Sequence, residues 1–278
     1  MGENHSGGSR EEPPPITERE PLVETIYSKG SIHTSLDNAD RELLGRIVRC
    51  FGQFVEVEPL ARYRTMTLDD VWLALVGQVC VMGSAGHMER LQNNDAMREK
   101  FKDAISLQVV GLQHDPVSYL EETLRYFSVT RFPKRSAERI VSVVQSPGVF
   151  QGNNLILFEG LSHEGSAIQT RDEIIKRCPT FRLKSASDFM ISVGLSHDVI
   201  ALDTRVVGIL QKYLGYNLTP QRIQSDRRLY FSLEAALREF CREQAVSLAL
   251  LDRLLFRFSN LGAVELVVKY PELVQSNP

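Results

Sequence analysis

Between Arg171 and Tyr213 the chain reads RDEIIKRCPTFRLKSASDFMISVGLSHDVIALDTRVVGILQKY, and most of its chemistry-bearing residues gather there. Periodicity and chain breakers divide this stretch. A helix stops at Pro179, a tight turn spans Pro179–Leu183, a helix opens at Lys184, and a short VIAL piece leads to a helix over Thr204–Leu214. Gly194 stands where a helix C-cap belongs, and Asp203 where a side chain caps the next helix. Lys176, Arg177, Arg182, Lys184 and Arg205 surround the turn, diluted by Asp172, Glu173, Asp188 and Asp198. A second basic cluster, Arg125, Arg131, Lys134, Arg135 and Arg139, has only Glu138 against it. Either cluster alone reads equally well as a solvated helix face. Two of them flanking a helix–turn–helix element fit contact with a phosphate backbone. His197-Asp198 has no Ser or Cys nucleophile motif beside it and reads as a polar loop. His114-Asp115-Pro116 reads as a turn and helix start.

The elements that must position this stretch repeat one period. Leu43, Leu44, Ile47, Val48 and Phe51 share a helical face after an Asp37 or Asp40 cap. Trp72, Leu75, Val76, Val79 and Cys80 form a second stripe, and Ala137, Ile140, Val141 and Val144 a third. Further stripes are Ala186-Phe189-Met190-Val193, Leu233-Ala236-Leu237-Phe240-Cys241 and Leu248-Leu251-Leu255-Phe258. Stripes of this kind exist to be buried, so the chain is mostly α. Phe54–Glu58 alternates weakly, as a short strand would. Val149–Phe158, with Gly152, Asn153 and Asn154 between apolar runs, suggests a small hairpin inserted between helices. Residues 1–36, Gly-, Glu- and Pro-rich at the start, read as a mostly disordered tail, and 37–273 as one helical body.

Composition excludes several classes. Across 278 residues, 43% are apolar and 24% charged, which is the balance of a globular protein. No apolar run approaches the roughly 18–20 residues of a membrane span, and the start lacks a signal-peptide core. A cytoplasmic, nucleoid or nuclear protein is therefore expected. A formal charge of −3 leaves no polycation character, so any nucleic-acid site is a local patch of salt-sensitive affinity. Cys50, Cys80, Cys178 and Cys241 lie too far apart for a zinc knuckle or iron–sulfur loop, and Cys80 and Cys241 sit on apolar faces as buried thiols. His5 and His87 lack ligand-spaced companions, so no metal is assigned.

The run P-x-x-x-x-K from Pro179 to Lys184, then A-S-D-F, then Asp203 in A-L-D-T-R nineteen residues after the lysine, resembles the helix–hairpin–helix DNA glycosylases. The likeness is closest to the 8-oxoguanine DNA glycosylase/AP lyases, and K-S-A-S-D-F-M with Val193-Gly194 is similar to their archaeal and bacterial members. It is strong over 168–215 and weaker in Leu75–Leu91 and in Thr130–Val144, with its RFPKRSAERI core. The resemblance implies an all-α fold of two helical lobes in one compact body, with a helix–hairpin–helix element at about 171–193. It implies a monomer acting on double-stranded DNA that holds a damaged base, without cofactor, membrane or obligate protein partner.

In such a protein Lys184 is the nucleophile and Asp203 stabilises the positive charge that develops on the sugar. A neutral amine attacks C1′ of an extruded nucleotide, a Schiff base forms, and β-elimination cuts the strand. The basic clusters and the hairpin offer DNA contacts at Thr180, Arg182, Arg205, Arg131, Lys134 and Arg135. The family's Asn or Gln wedge, expected near Met82–Gly83, is missing, and Met82 reads equally as the filler of the gap left by an extruded base and as a buried core residue. By resemblance to the family's late aromatics, Phe256 or Phe258 stacks on the base, with core packing the alternative for at least one of them. An oxidised purine is the implied substrate. The family hairpin reads P-G-x-G-x-K, whereas Thr180 and Arg182 replace its glycines here, which leaves the hairpin's backbone contacts to phosphate or metal open. A binding-only protein that has lost catalysis, and a glycosylase for another lesion, fit the same residues.

Overall fold

Side-chain caps fix where the helices begin. In the computed structural model, which describes residues 26–28, 31–33, 35–81, 85–152, 154–214 and 218–259, Asp37 caps α1 (Asn38–Phe51) through a reciprocal box with Asp40. Thr67 and Asp70 form the same box at α2 (Leu68–Cys80). The short helices α3 (Gly86–Gln92), α4 (Asp95–Ala104) and α5 (Leu107–Gly111) follow. Asp115 then caps α6 (Pro116–Tyr126), as the His-Asp-Pro turn predicts. Next come α7 (Pro133–Val144), α8 (Ala167–Arg177), α9 (Leu183–Ser192), α10 (Thr204–Leu214), α11 (Pro220–Ser225), α12 (Arg227–Glu243) and α13 (Leu248–Phe258). The expected hairpin is present as β3 (Phe150–Gln151) and β4 (Asn154–Leu155), turning at Gly152 with φ +58°. A second antiparallel pair, β1 (Ile26–Ser28) and β2 (Ser31–His33), lies within the segment read as tail. Most of that segment, and residues 260–278, lie outside the described residues.

Two apolar cores correspond to two lobes. One gathers Val71, Trp72, Leu75, Phe101, Leu120, Ile140, Ile174, Phe189 and Met190 from α2 through α9. The other gathers Leu44, Ile47, Val206, Leu210, Tyr230, Leu237 and Leu255 from α1 and α10–α13. Fully burying each such side chain contributes about 1.5–3 kcal/mol. Helix α9 belongs to both, because Leu183 packs in the second core while Ala186, Phe189 and Met190 pack in the first. Its N-terminus, with Lys184, therefore sits where the lobes meet. Cys80 and Cys241 are buried free thiols as expected, and burial pushes both up to about 12. No helix among the described residues is long and apolar enough to cross a membrane.

Phe54–Glu58 corrects one expectation. A single 3-10 turn at Gly52–Phe54 leads into extended chain that joins no sheet. Side chains take its carbonyls instead: Arg257 Nη1 donates to Phe54 O at 2.7 Å, and His197 Nε2 to Glu58 O at 2.7 Å. A strand pattern without a strand partner remains an extended connector.

Gly194 ends α9 as expected, and for two physical reasons. Its φ is +66°, and the closing bonds Gly194 N→Ile191 O and Leu195 N→Met190 O complete a Schellman motif. A Cβ at this position would also lie 2.0 Å from Pro59 O, because Gly194 O accepts from Ala61 N and draws that loop onto the helix end. Gly194→Ala is expected to cost at least about 2 kcal/mol, combining left-handed strain with backbone overlap. Thermal or denaturant unfolding measures it, and an unchanged midpoint would contradict the close approach.

Candidate active site

The hairpin between α8 and α9 closes without left-handed residues. Phe181 N donates to Cys178 O, and the buried Phe181 ring packs 5.3 Å from Phe189. Arg182 is extended at φ −130°, with its N–H held by Ser185 Oγ at 2.8 Å and its side chain exposed. Among the described residues the non-glycine positive φ values fall at Ala61, Ser128 and Ala245, none of them in the hairpin. Thr180 and Arg182 thus replace the resembled glycines without backbone strain. The β3–β4 insertion braces the turn from behind. Arg177 Nη1 donates to Leu157 O and Glu159 O, and Ser146 Oγ donates to Arg177 O.

Lys184 stands in the first turn of α9 with its side chain 22% exposed. One helical turn on, Asp188 accepts from Lys184 Nζ at 3.3 Å and from Gln78 Nε2 of α2 at 3.1 Å, both on Oδ2. Its Oδ1 accepts from Arg253 Nη1 of α13 at 2.6 Å. Burial works to raise the Asp188 carboxyl, but the Lys184 and Arg253 cations outweigh it and hold it well below the usual carboxylate range. Arg253 also donates to Asp252 Oδ2 at 3.2 Å, and Asp252 Oδ1 accepts from Ala201 N at 2.7 Å. Asp252 is buried, and burial pushes its carboxyl up to about 7 against the pull of Arg253.

Asp203 is buried at the start of α10, where Oδ1 accepts from the N–H groups of Arg205 and Val206, both at 2.9 Å. This is the cap that the sequence predicts. Burial raises its carboxyl, the Val206 N–H and the Lys184 ammonium pull it down, and Asp188 raises it again. Lys184, Asp188, Asp203, Asp252 and Arg253 thus form one electrostatically coupled group drawn from α9, α10 and α13.

Behind this group lies a buried polar network that sequence reasoning did not find. Arg171 of α8 and Glu234 of α12, both inaccessible, make a bidentate pair at 2.7 and 2.8 Å. Arg171 Nη1 also donates to Ser187 Oγ of α9 at 2.9 Å. Glu234 Oε1 accepts from Ile200 N at 3.3 Å, and Tyr230 Oη donates to Ile200 O at 2.6 Å. Helices α8 and α9 and the VIAL segment before Asp203 are thereby tied to α12. Removing one partner of such a pair would strand a buried charge. Arg171 opened the informative stretch, but nothing in its neighbourhood announced Glu234.

The remaining predicted residues divide. Arg131, Lys134 and Arg135 are exposed at and before the first turn of α7, with Arg131 over the Phe132 ring at 5.4 Å. Burial lowers the Arg139 guanidinium, and Arg135 and Arg182 lower it further, so α7 and the hairpin present their cations together. Arg205 is otherwise occupied. Its guanidinium pairs with the Glu89 carboxylate of α3, Nη2 to Oε2 at 3.0 Å, and lies 4.3 Å over the Phe256 ring. Phe256 is half-buried beneath it, whereas Phe258 stacks on Phe51 at 4.8 Å inside the second core. Met82 lies outside the described residues. Among the described residues no group of three or more His, Cys, Asp or Glu is arranged to hold a metal ion.

Comparison with known proteins matches residues 92–246, more than half of the chain, to the family model of 8-oxoguanine DNA glycosylase. A search of curated proteins gave no match. Among solved structures the fold is similar to that of the 8-oxoguanine glycosylase/lyase of Methanocaldococcus jannaschii in complex with a 15mer DNA containing 8-oxoguanine. The identity is 19% and the TM-score 0.56, over 82% of this chain and 93% of that one. The 8-oxoguanine DNA glycosylase of Thermotoga maritima is similar at 22% identity and the same TM-score, over 79% and 95%.

Proposed function

The chain belongs to the 8-oxoguanine DNA glycosylase family, and from that premise we propose that it excises 8-oxoguanine from duplex DNA and then cuts the strand, with Lys184 as nucleophile. The observation that carries this reading is the placement of Lys184. A primary amine opens α9 directly after the hairpin, at the junction of the lobes, coupled to the buried Asp203. Residues 37–273 are the unit that acts, as a monomer and without a cofactor.

DNA lies against the exposed cations of α7 and the hairpin, where Arg182, Arg135, Lys134 and Arg131 meet phosphates and Thr180 offers a hydroxyl. The damaged nucleotide leaves the stack and enters the junction between lobes, at a cost of a few kcal/mol. Phe256 of α13 stacks on the base, while Phe258 supports α1. The neutral Lys184 amine attacks C1′, and the N-glycosidic bond breaks with its electron pair going to the departing base, which is protonated. Ionised Asp203 faces the positive charge that develops on the sugar. The opened sugar forms a Schiff base with Lys184. Loss of a C2′ proton then expels the 3′ phosphate by β-elimination, and hydrolysis frees the lysine.

Borohydride trapping on three duplexes tests this: one with 8-oxoguanine opposite cytosine, one with an abasic site, one undamaged. Covalent adducts on the first two and none on the third are expected. An adduct on the abasic duplex alone would keep the lyase chemistry and assign the excision step to another lesion. Binding without any adduct would replace the enzyme by a DNA-binding protein.

A further inference from the structure

We infer that Asp188 and Arg253 are positioning residues for the Lys184 amine: Asp188 fixes where the amine points, and Arg253 cancels the carboxylate's charge so that the amine can release its proton. The inference rests on Lys184 being the nucleophile, as proposed above. A lysine that attacks carbon must be neutral, yet Lys184 is coupled to two carboxylates, Asp188 at hydrogen-bond distance and Asp203 across the junction. Left alone, those carboxylates would favour the ammonium form. Arg253 changes the balance. Its guanidinium holds Asp188 Oδ1 at 2.6 Å, closer than Lys184 holds Oδ2 at 3.3 Å, and its Nη2 also reaches Asp188 O at 3.3 Å.

Gln78 supplies a neutral donor to the same Oδ2, so the carboxylate keeps its orientation whether or not the lysine is charged. The groups around Arg253 are Asp188, Asp252 and, at longer range, Glu58. Asp188 stays ionised between its cations and is a poor acceptor for the lysine's proton. The proton leaves instead to solvent, to which the Lys184 side chain is partly open. Through Asp252 and Ala201 N the same guanidinium also steadies the segment that delivers Asp203.

Single-turnover trapping on an abasic duplex with cyanoborohydride, followed from weakly acidic to strongly alkaline pH, reads the charge of the amine directly. Arg253→Gln is expected to move the rising midpoint up by about one pH unit, and Asp188→Asn to move it down by a similar amount. The double variant is expected to return close to the wild type, as is Arg253→Lys, which restores the charge. Thermal melts run alongside identify any variant that fails to fold. A purely structural role would lower the rate at every pH and leave the midpoint where it was, and that result would overturn the inference. Loss of trapping in Lys184→Gln combined with immobile midpoints sinks this inference alone, whereas trapping that survives Lys184→Gln sinks the functional reading beneath it.

Discussion

Replacing Lys184 by Gln is expected to reduce covalent trapping and strand cleavage by at least about a thousandfold, on 8-oxoguanine and abasic duplexes alike. The amide nitrogen of Gln has no basic lone pair to offer C1′, and no second amine among the described residues is placed in the coupled group of α9, α10 and α13. The fold should survive. Lys184 is partly exposed and lies in neither apolar core. Asp188 keeps Arg253 and Gln78 when the lysine is gone, so no buried carboxylate is left uncompensated. A cost within about 1 kcal/mol is expected from the loss of one half-buried pair. Duplex affinity should fall by a few-fold at most, since one cation among several is removed and the exposed arginines of α7 and the hairpin remain. Adduct yield, cleavage rate and affinity, measured on one preparation, therefore separate chemistry from binding. Adducts forming at the wild-type rate would place the nucleophile elsewhere in the chain.

What could be read from the sequence, and what could not, follows the distance over which each feature is decided. The helices α1, α2, α7, α9, α12 and α13 carry apolar stripes over about two to three turns, and their period alone reveals them. Helices α3, α5 and α11 are five to seven residues long, too short for a stripe to establish itself. Asp37, Asp115 and Asp203 act within three residues of themselves, so their caps were legible. The hairpin is equally local. Asp188 was visible only as a charge diluting its basic neighbours, although its spacing from Lys184 already put both on one helix face. Gln78, Arg253 and Glu234 reach the site from α2, α13 and α12, and no local pattern announces a side chain that must cross the molecule. Arg205 shows the converse: its charge is plain in the sequence, but Glu89, which occupies it, comes from α3. The strand expected at Phe54–Glu58 failed for a related reason, since the carbonyls at its two ends are taken by Arg257 and His197.

Asp203→Asn is expected to slow base excision by about a hundredfold to ten-thousandfold while trapping on an abasic duplex falls far less. The asymmetry comes from where charge develops. Breaking the glycosidic bond builds positive charge on the sugar, and an ionised carboxylate meets it, whereas an abasic aldehyde needs only an amine. Asn retains the carbonyl oxygen that accepts from Arg205 N and Val206 N, so α10 keeps its cap and the helix start stays in place. Because burial raises the Asp203 carboxyl, the acidic limb of the excision rate should lie above the ordinary carboxylate range, with the rate rising as pH rises. In Asp203→Asn that limb should be flat. The linkage has a definite sign. A carboxyl raised in the folded state binds its proton more tightly there than when unfolded, so ionising Asp203 costs stability as pH climbs from the unfolded value through the folded one. Asn removes that cost, and the variant should melt no lower than the wild type at neutral pH. A large loss of excision without loss of stability assigns Asp203 to the chemistry. Excision at the wild-type rate would leave it as a helix cap and nothing more.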